Sequence, residues 1–297
     1  MTRLEARQVC ERLLALARRR GVQYGLIFNW YLIERLVHRL EQSGHREELI
    51  LDGDLLVHAL ADTPFPLEWR ASLLWRPPHA GADLATAIND VCQADGGDQV
   101  RFEGAPQVAV SRCASARRQQ FEVVVIGGLC GAVCPVSLQI CLDEHPEVAA
   151  SDTSFPRLLE KEDAGRRPQA CAPEVFLARR VRALWDSGVA HLHPKVYADL
   201  HRLIRAGALK NVLTVSALAA VFRDAKPEVP PGLPLAFSKV ALEDSELCDL
   251  WSAYQRRVRL PPTELAVVLG DIERYLAPLY EAARAQRRTD PGAGQLG

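Results

Sequence analysis

Lysine, methionine and long apolar runs are all scarce in this chain. Lysine occurs at five of the 297 positions and methionine at one, so arginine supplies nearly all of the positive charge. This bias is typical of a GC-rich bacterial genome and indicates no activity by itself. No apolar run approaches the roughly 18–20 uninterrupted residues that a membrane-spanning helix requires, so we expect no membrane association.

The chain also lacks a net charge that could hold a polyanion. Its 36 basic residues nearly balance its 37 acidic ones, which leaves a formal charge of -1. Any contact with RNA therefore needs a local basic patch. Candidates are the run Arg18 to Arg20 and the pair Arg117-Arg118, although each of these arginines is also typical of an ordinary solvated surface.

A disulfide framework and a secretory signal are both missing from the sequence. The eight cysteines do not form evenly spaced pairs, and several lie in apolar segments. We therefore expect reduced thiols in a cytoplasmic protein. A zinc site built from Cys130, Cys134, Cys141 and His145 is an alternative, but this spacing fits no standard zinc finger, and buried strand thiols are the simpler interpretation.

The order of the patterns predicts an α/β protein with a helical second part. Helical and strand patterns are mixed up to about Leu142, whereas the patterns after Pro173 are all helical. The segment Asp143 to Pro173 is rich in proline and charge, which predicts a linker. We expect an α/β domain with a small mixed sheet over residues 1–150 and a helical domain over residues 170–290.

Three strand patterns near the middle of the chain bear on the candidate site. Trp69 to Trp75, Phe121 to Ile126 and Cys134 to Leu142 are predicted strands, and Gly127 to Gly131 is the predicted turn between the last two. The tryptophans that flank the first of these strands fit either a core or a protein interface.

A glycine turn follows the short apolar strand Leu49-Ile50-Leu51. Asp52-Gly53-Asp54 makes the turn, and a helical pattern continues from about Leu55 to Ala61. A strand, a glycine turn and a helix N-terminus can together cradle a phosphate, because the free backbone amides at the start of a helix point at the anion.

Five segments of the chain match one known family in residue type, order and spacing: Arg7 to Leu14, Trp30 to Arg46, Leu49 to Gly53, Glu174 to Arg180, and Lys195 to Leu200. In these segments the chain resembles the AbiEii family of bacterial nucleotidyltransferase toxins. The resemblance covers most of the chain from Thr2 to Arg205. It implies a nucleotidyltransferase-like α/β domain followed by a helical domain, nucleotide transfer onto transfer RNA in some members, and control by a partner antitoxin.

The resemblance also implies a metal site that this sequence does not complete. Nucleotidyl transfer uses two divalent cations held by carboxylates, and the family supplies them as an Asp-x-Asp pair on one strand and a third Asp on a neighbouring strand. The matching positions are Arg70 and Ser72, with Gln139 as the third. All three expected carboxylates are therefore replaced by a cation or a neutral group.

The nucleotide-contact residues of the family are kept only in part. Gly53 is retained in the cradle, but Asp54 follows it where the family has glycine or serine, and a carboxylate there repels a triphosphate. In the second block Lys195 and Asp199 are retained, and Arg180 stands where the family usually has a lysine. Arg70 could also hold a phosphate directly.

Other chemistry can be assembled from the remaining polar residues. Asp52, Asp54 and either Asp143 or Glu144 could form a relocated metal site, because residues i and i+2 of a strand share a face; the simpler interpretation is that these acids cap a helix and a turn. His191 and His193 could act as a base or a ligand pair, although capping of the helix that begins near Pro194 is the simpler interpretation.

The sequence favours a catalytically degenerate nucleotidyltransferase-like protein without a metal or another cofactor. We expect a structural or regulatory subunit that binds a protein partner, with RNA or nucleotide as further candidate ligands, in a bacterial defence or mobile-element system. The alternative is an active Mg²⁺-dependent nucleotidyltransferase toxin that uses a nucleoside triphosphate to modify transfer RNA.

Overall fold

The computed structural model describes most of the chain and divides it into two compact units. The described residues are 3–61, 70–79, 82–112, 119–143, 150–159, 167–187, 193–222, 232–258 and 261–289. One unit comprises Met1–Ala59 with Pro66–Cys171, and the other comprises Leu60–Phe65 with Ala172–Gly297.

The first unit combines four helices with a seven-stranded sheet. Its helices are α1 (Arg3–Arg20), α2 (Tyr24–Gln42), α3 (Gly53–Leu60) and α4 (Leu84–Gln93). Its strands are β1 (Leu49–Asp52), β2 (Arg70–Trp75), β3 (Arg101–Arg112), β4 (Gln119–Leu129), β5 (Ala132–Leu142), β6 (Ser151–Asp152) and β7 (Gln169–Ala170).

The sheet is mixed, which confirms the predicted α/β fold class. Its strand order is β3-β4-β5-β2-β1-β7-β6. The strands β3, β4 and β5 form an antiparallel meander, whereas β2 pairs with β5 in parallel and with β1 antiparallel. The parallel pairing of β2 and β5 needs a long crossover, which the chain makes through α4, β3 and β4.

The turn between β4 and β5 is tighter than the sequence predicted. The prediction placed a turn over Gly127 to Gly131, but β4 continues to Leu129 and only Cys130 and Gly131 remain outside the strands. Both have positive φ, 54° and 83°, as a two-residue type I′ turn requires. Gly127 and Gly128 belong to β4 and not to the turn. Glycine suits position 127 because α2 packs closely against it: a Cβ there would lie 2.9 Å from the Leu32 side chain.

The segment predicted as a linker contributes strands to the first unit. Within Asp143 to Pro173, β7 pairs in parallel with β1, and β6 pairs antiparallel with β7. The Cys171 amide donates to the Leu51 carbonyl at 2.9 Å. These strands are only two residues long, too short for an apolar alternation that sequence analysis could detect.

Helix α2 is the most deeply buried helix of this unit, and it carries buried polar side chains along its length. Asn29 donates to the Pro135 carbonyl at 2.7 Å. Arg39 donates to the Asp98 carboxylate at 2.8 Å and to the carbonyls of Ala94 and Val100. Each of these bonds reaches a part of the chain far from α2 in sequence, so the helix fixes the positions of β5 and of the segment that leads into β3.

Residues 153–159 lie along α2 and are called the strap. The Leu158 amide donates to the Glu34 carboxylate at 2.7 Å, and Arg157 approaches Glu41 at 3.6 Å. Phe155 is buried and contacts the rings of Trp30 and His58. Glu34 and Glu41 are therefore buried acids of α2 that contact the strap and not solvent.

The second unit is helical in its described residues, as the sequence predicted. It contains α5 (Pro173–Ser187), α6 (Pro194–Arg205), α7 (Asn211–Val221), α8 (Val240–Glu243), α9 (Ser245–Val258) and α10 (Leu265–Thr289), with a 3-10 turn at Leu235–Phe237. Its core includes Tyr197, whose hydroxyl donates to the Ala236 carbonyl at 2.9 Å, and Tyr280, which packs edge-on against Phe222. Among the helices of the described residues, none combines the length and apolarity needed to cross a membrane.

We predict that Arg39→Met strongly destabilises the first unit. The substitution leaves the Asp98 carboxylate buried without its ion-pair partner, and breaking a buried pair in this way costs about 3–5 kcal/mol. Urea denaturation measures the free energy of unfolding. Arg7→Ala is the matched control, because the Arg7–Glu11 pair is 79% and 68% exposed and contributes little. Equal effects of the two substitutions would contradict the prediction.

We predict that His45 stabilises the fold more in mild acid than in base. Burial lowers its pKa, but hydrogen bonds to Glu48 at 2.8 Å and Asp90 at 3.2 Å outweigh burial and raise the pKa above 6.5. The stabilisation is therefore fully present below the unfolded pKa and is lost as pH rises through the folded pKa.

The measurement for His45 is the loss of unfolding free energy in His45→Gln at about pH 5.5 and about pH 8.5, on either side of the histidine titration. The loss should be larger at the lower pH, and Glu48→Gln should reduce this difference because it removes one of the two carboxylates. A loss of equal size at both pH values would show that the charge of His45 contributes nothing.

Candidate functional site

Four polar side chains lie next to each other across the middle of the sheet, and we call them the polar row. Asp52 of β1 pairs with Ser72 of β2, Ser72 pairs with Gln139 of β5, and Gln139 pairs with Glu122 of β4. Directly paired residues project from the same face of a sheet, so the four side chains share one face. The rows before and after them, such as Leu51, Leu73 and Ile140, are buried on the opposite face.

The positions that the family resemblance singled out do come together. Ser72 and Gln139 are neighbours across one strand spacing, and Arg70 lies two residues before Ser72, opposite Ser137 of β5. A period of two places the backbone of Arg70 on the same face as Ser72. The spatial arrangement implied by the resemblance is therefore present, but it carries a hydroxyl and an amide where a metal site needs carboxylates.

The turn beside the polar row is packed tightly against Ser72. Gly53 has a φ of 54°, and a Cβ built on it would lie 2.7 Å from both Cβ and Oγ of Ser72. Glycine is required here for two reasons, the left-handed backbone and the absence of space for a side chain. Asp54 lies in the first turn of α3, where a carboxylate interacts favourably with the helix dipole.

The two acids of the polar row cannot share a cation. Asp52 and Glu122 are separated by three strand spacings, roughly 14 Å at about 4.8 Å per spacing. A hard cation holds its oxygen ligands at about 2.0–2.6 Å, so two carboxylates at this separation cannot both reach it. Among the residues that the structure describes, no group of three His, Cys, Asp or Glu side chains could hold a metal ion.

Asp143 forms an ion pair with Arg76, far from the polar row. Its side chain is fully buried, and Arg76 donates to it at 2.7 Å. Asp143 also lies four residues beyond Gln139 along the β5 direction, roughly 13 Å at about 3.3 Å per residue. The structure therefore does not bring Asp143 together with Asp52 and Asp54. Glu144, the other acid considered for a relocated site, lies outside the described residues.

These residues do not fit a magnesium-bound triphosphate. The row has one carboxylate at each end, too far apart to hold a cation together, and Asp54 adds negative charge beside the cradle that would receive the triphosphate. One oxygen of Asp52 is buried and accepts no hydrogen bond within the described chain. That oxygen is suited to a hydrogen-bond donor, because a buried acceptor without a partner is costly.

The predicted nucleotide contacts of the second unit are already paired with protein groups. Lys195 donates to Asp199 at 2.6 Å across one turn of α6, and Asp199 is almost completely buried. Arg180 lies over the Phe176 ring at 4.9 Å on α5. Arg202 also lies 3.5 Å from Asp199, so Lys195 belongs to a network of protein charges. Arg180 is the cation of this set that has no ion-pair partner in the described residues.

The zinc alternative is wrong for the cysteines that the structure describes. Cys134 and Cys141 lie seven residues apart on β5, which places them on opposite faces and roughly 23 Å apart at about 3.3 Å per residue. His145 lies outside the described residues. His193 caps α6, since its Nδ1 accepts from the Lys195 amide at 3.2 Å. His191 is also outside the described part of the chain.

The arginines considered for RNA binding and the tryptophans considered for an interface were the remaining candidates from the sequence. Arg18, Arg19 and Arg20 are exposed in the last turn of α1, where positive charge complements the helix dipole. Trp75 is buried and packs edge-on against Phe121. Trp69, Arg117 and Arg118 lie outside the described residues. RNA binding by these arginines stays a prediction.

Sequence reasoning missed Glu122 and Arg76. Glu122 occupies an alternate position of an apolar strand, which looks like an ordinary solvent-facing residue. The signal that could have found it is the Cys130-Gly131 turn, because a two-residue turn at this position forces Glu122 to pair with Gln139. No sequence signal links Arg76 to Asp143, which come together only through the pairing of β2 with β5.

Comparison with known proteins gives distant structural similarity only. No model of a protein family matches the chain, and no curated protein matches it. The solved structure of JHP933 from Helicobacter pylori is similar with a TM-score of 0.45 and 10% identity, over 91% of this chain and 98% of that one. A candidate nucleotidyltransferase from H. pylori is similar with a TM-score of 0.42 and 11% identity, over 90% and 98% of the two chains.

We predict that Gly53→Ala destabilises the first unit by about 2–4 kcal/mol, the sum of a positive-φ penalty and a steric clash with Ser72. Gly131→Ala is the matched control, because Gly131 has positive φ but no atom within 4 Å of the added Cβ. We expect it to cost about 1 kcal/mol.

A double-mutant cycle with Ser72→Gly tests the clash itself. Ser72→Gly removes both atoms that the new methyl group would meet, so Gly53→Ala should cost less in the Ser72→Gly background than in the native chain. Urea denaturation of the four proteins gives the coupling. Strict additivity would show that the contact between Gly53 and Ser72 does not constrain the turn.

Proposed function

We propose that this chain is a nucleotidyltransferase-like protein that has lost catalysis and acts as a structural or regulatory subunit. The observation that carries the proposal is the polar row. At the positions where the AbiEii resemblance expects metal-binding carboxylates, the row has Ser72 and Gln139, and its two acids are three strand spacings apart. The fold is kept while the charges that two-metal chemistry needs are missing.

A binding role is supported by apolar side chains that are exposed on the second unit. Val212 and Leu213, at the start of α7, are 78% and 48% exposed. An exposed apolar group is usual in isolation, but adjacent ones are typical of a contact surface. A protein partner is therefore the ligand class we favour, in a cytoplasmic defence or mobile-element system of a bacterium, with RNA or nucleotide as additional ligands.

The alternative function is a magnesium-dependent nucleotidyltransferase toxin that modifies transfer RNA. It requires Asp52, Asp54 and a further acid to converge on a cation. The ion pair between Arg76 and Asp143 counts against this arrangement, because the fully buried Asp143 carboxylate would have to give up a charge-assisted hydrogen bond at 2.7 Å.

We predict that the purified protein neither binds nucleoside triphosphates in a magnesium-dependent manner nor transfers labelled nucleotide to total transfer RNA. Isothermal titration calorimetry with each nucleotide, with and without Mg²⁺, measures the first property, and a radiolabel assay measures the second. Label transfer by the native chain would overturn the proposal and favour the toxin, with Asp52 and Asp54 as the first residues to substitute.

A variant with carboxylates introduced at the three positions tests whether their absence prevents magnesium-dependent nucleotide binding. Arg70→Asp, Ser72→Asp and Gln139→Asp in one chain restore the charges at the three resembling positions. We expect this triple variant, unlike the native protein, to gain magnesium-dependent nucleotide binding. A folded triple variant that stays silent would show that the resemblance does not extend to the cation site.

The binding half of the proposal has its own test. A stoichiometric protein partner recovered from the native host should remain bound after chelation with EDTA, because no step of the interaction requires a metal. Val212→Asp and Leu213→Asp should weaken the complex, whereas Val267→Asp, another exposed apolar residue in this unit, serves as a control for added charge.

A further inference from the structure

Strand β3 forms one edge of the sheet in the first unit. It is the first strand in the order β3-β4-β5-β2-β1-β7-β6, so in the described part of the chain it is paired on one side only, with β4. An edge strand presents a row of backbone N–H and C=O groups that can pair with a further strand. The outer side of β3 is therefore a potential binding surface.

A bulge divides β3 into two parts that differ in how the edge is protected. The register with β4 shifts between Glu103 and Gln107, and the bulged residues include Pro106, which has no N–H to offer to a new strand. Bulges and prolines are devices by which proteins block their sheet edges. Residues 107–112 follow the bulge without a further proline, and Arg112 is their only ionisable residue. We call these six residues the open edge.

The open edge carries apolar residues that are accessible to solvent. Val110 is 65% exposed, although it pairs with Phe121, which is buried. Ala109 is exposed and Val108 is half-buried. Phe102, in the part of β3 before the bulge, is buried. An apolar edge without a bulge or a charge along its length favours pairing with another chain.

The open edge is symmetric in residue type about its third residue, since it begins Gln107-Val108-Ala109-Val110-Ser111. In two antiparallel copies with their Ala109 residues opposite each other, valine lies opposite valine on one face of the sheet, and glutamine lies opposite serine on the other. Arg112, the nearest charge, then lies at opposite ends of the paired segment in the two copies, so like charges do not meet. The segment is therefore complementary to itself.

We propose that the open edge is a homodimer interface, in which β3 of one copy pairs antiparallel with β3 of a second copy across a two-fold axis. A two-fold interface uses the same surface of both copies, as a self-complementary segment does. Association stops at two copies, because the opposite edge of the sheet in the described residues is β6, which has only two residues. The proposal does not rest on the function proposed above, and its residues are not those of the α7 surface.

Sedimentation velocity of the full-length chain over a dilution series measures the dissociation constant of the dimer. Val110→Lys should raise this constant by about tenfold or more, because the substitution occurs twice in a two-fold interface and lysine is a residue that blocks strand edges. Val133→Lys is the matched control, since Val133 of β5 is equally exposed, at 66%, and lies outside the open edge. It should leave the dissociation constant unchanged.

Two results of this experiment would overturn the proposal. One is a native chain that is monomeric at every concentration tested. The other is a dimer whose dissociation constant responds equally to Val110→Lys and Val133→Lys. Far-UV circular dichroism of each variant shows that the chain is folded, so that a loss of the dimer is a loss of the interface.

A cross-link tests the register without adding charge to the edge. Ala109→Cys places two thiols opposite each other in the dimer, and directly paired Cα atoms about 4.5–5.5 Å apart lie within the range of about 4.4–6.8 Å that a disulfide spans. Oxidation with copper phenanthroline should give a disulfide-linked dimer on a non-reducing gel, in much higher yield than the native chain or Val133→Cys. A dimer in solution that gives no such excess uses another interface, and this result would overturn the proposal even if Val110→Lys did not fold.

Discussion

The buried charges of α2 are the constraint on which the first unit depends. Glu34, Arg39 and Glu41 are almost completely inaccessible to solvent, and a buried charge without a partner costs more than most single interactions contribute. Within α2, Glu34 pairs with Arg35, and Glu41 pairs with His38. The further partners of these acids, like those of Arg39, lie in the strap and in the segment after α4, which are far from α2 in sequence. These contacts couple the burial of α2 to the placement of the strap and of the segment that leads into the sheet.

The same constraint explains why the segment between the predicted domains belongs to the first unit. Glu34 accepts a hydrogen bond from the strap, Phe155 packs into the aromatic cluster at Trp30, and β7 then pairs with β1. A solvated linker would leave the Glu34 carboxylate without its backbone donor. Proline and charge along this stretch suggested a linker, whereas the buried acids on α2 required something to cover them.

Sequence alone predicted the helices well and the strands in part. Helical spacing is local, so periodicity identified the part of the chain after Pro173 as helical and placed the start of α6 near Pro194, where it begins. The register of the sheet is not local. That Ser72 lies between Asp52 and Gln139 follows from the parallel pairing of β2 with β5, which joins residues more than sixty positions apart and leaves no periodic trace.

The centre of the candidate site could be predicted from the sequence, but the residues at its edges could not. The resemblance pointed to Ser72 and Gln139 as neighbours, and the register places them side by side. The presence of Glu122 beside Gln139 depended on a turn of two residues instead of the five that the glycines suggested. The engagement of Asp143 by Arg76 likewise depends on where two strands end, and strand ends are the least predictable feature of a sequence.

The polar row needs no bound cation to be stable, because its two central side chains are neutral. Three carboxylates on adjacent strand positions would repel each other by several kcal/mol at close range and an effective dielectric near 20, so such a site needs cations to be stable. Ser72 and Gln139 are neutral, and the nearest acids flank them on separate strands. The row is therefore stable as it stands. Stability without a bound cation is the property that the proposed binding role requires of this sheet, because a scaffold of this kind does not depend on metal.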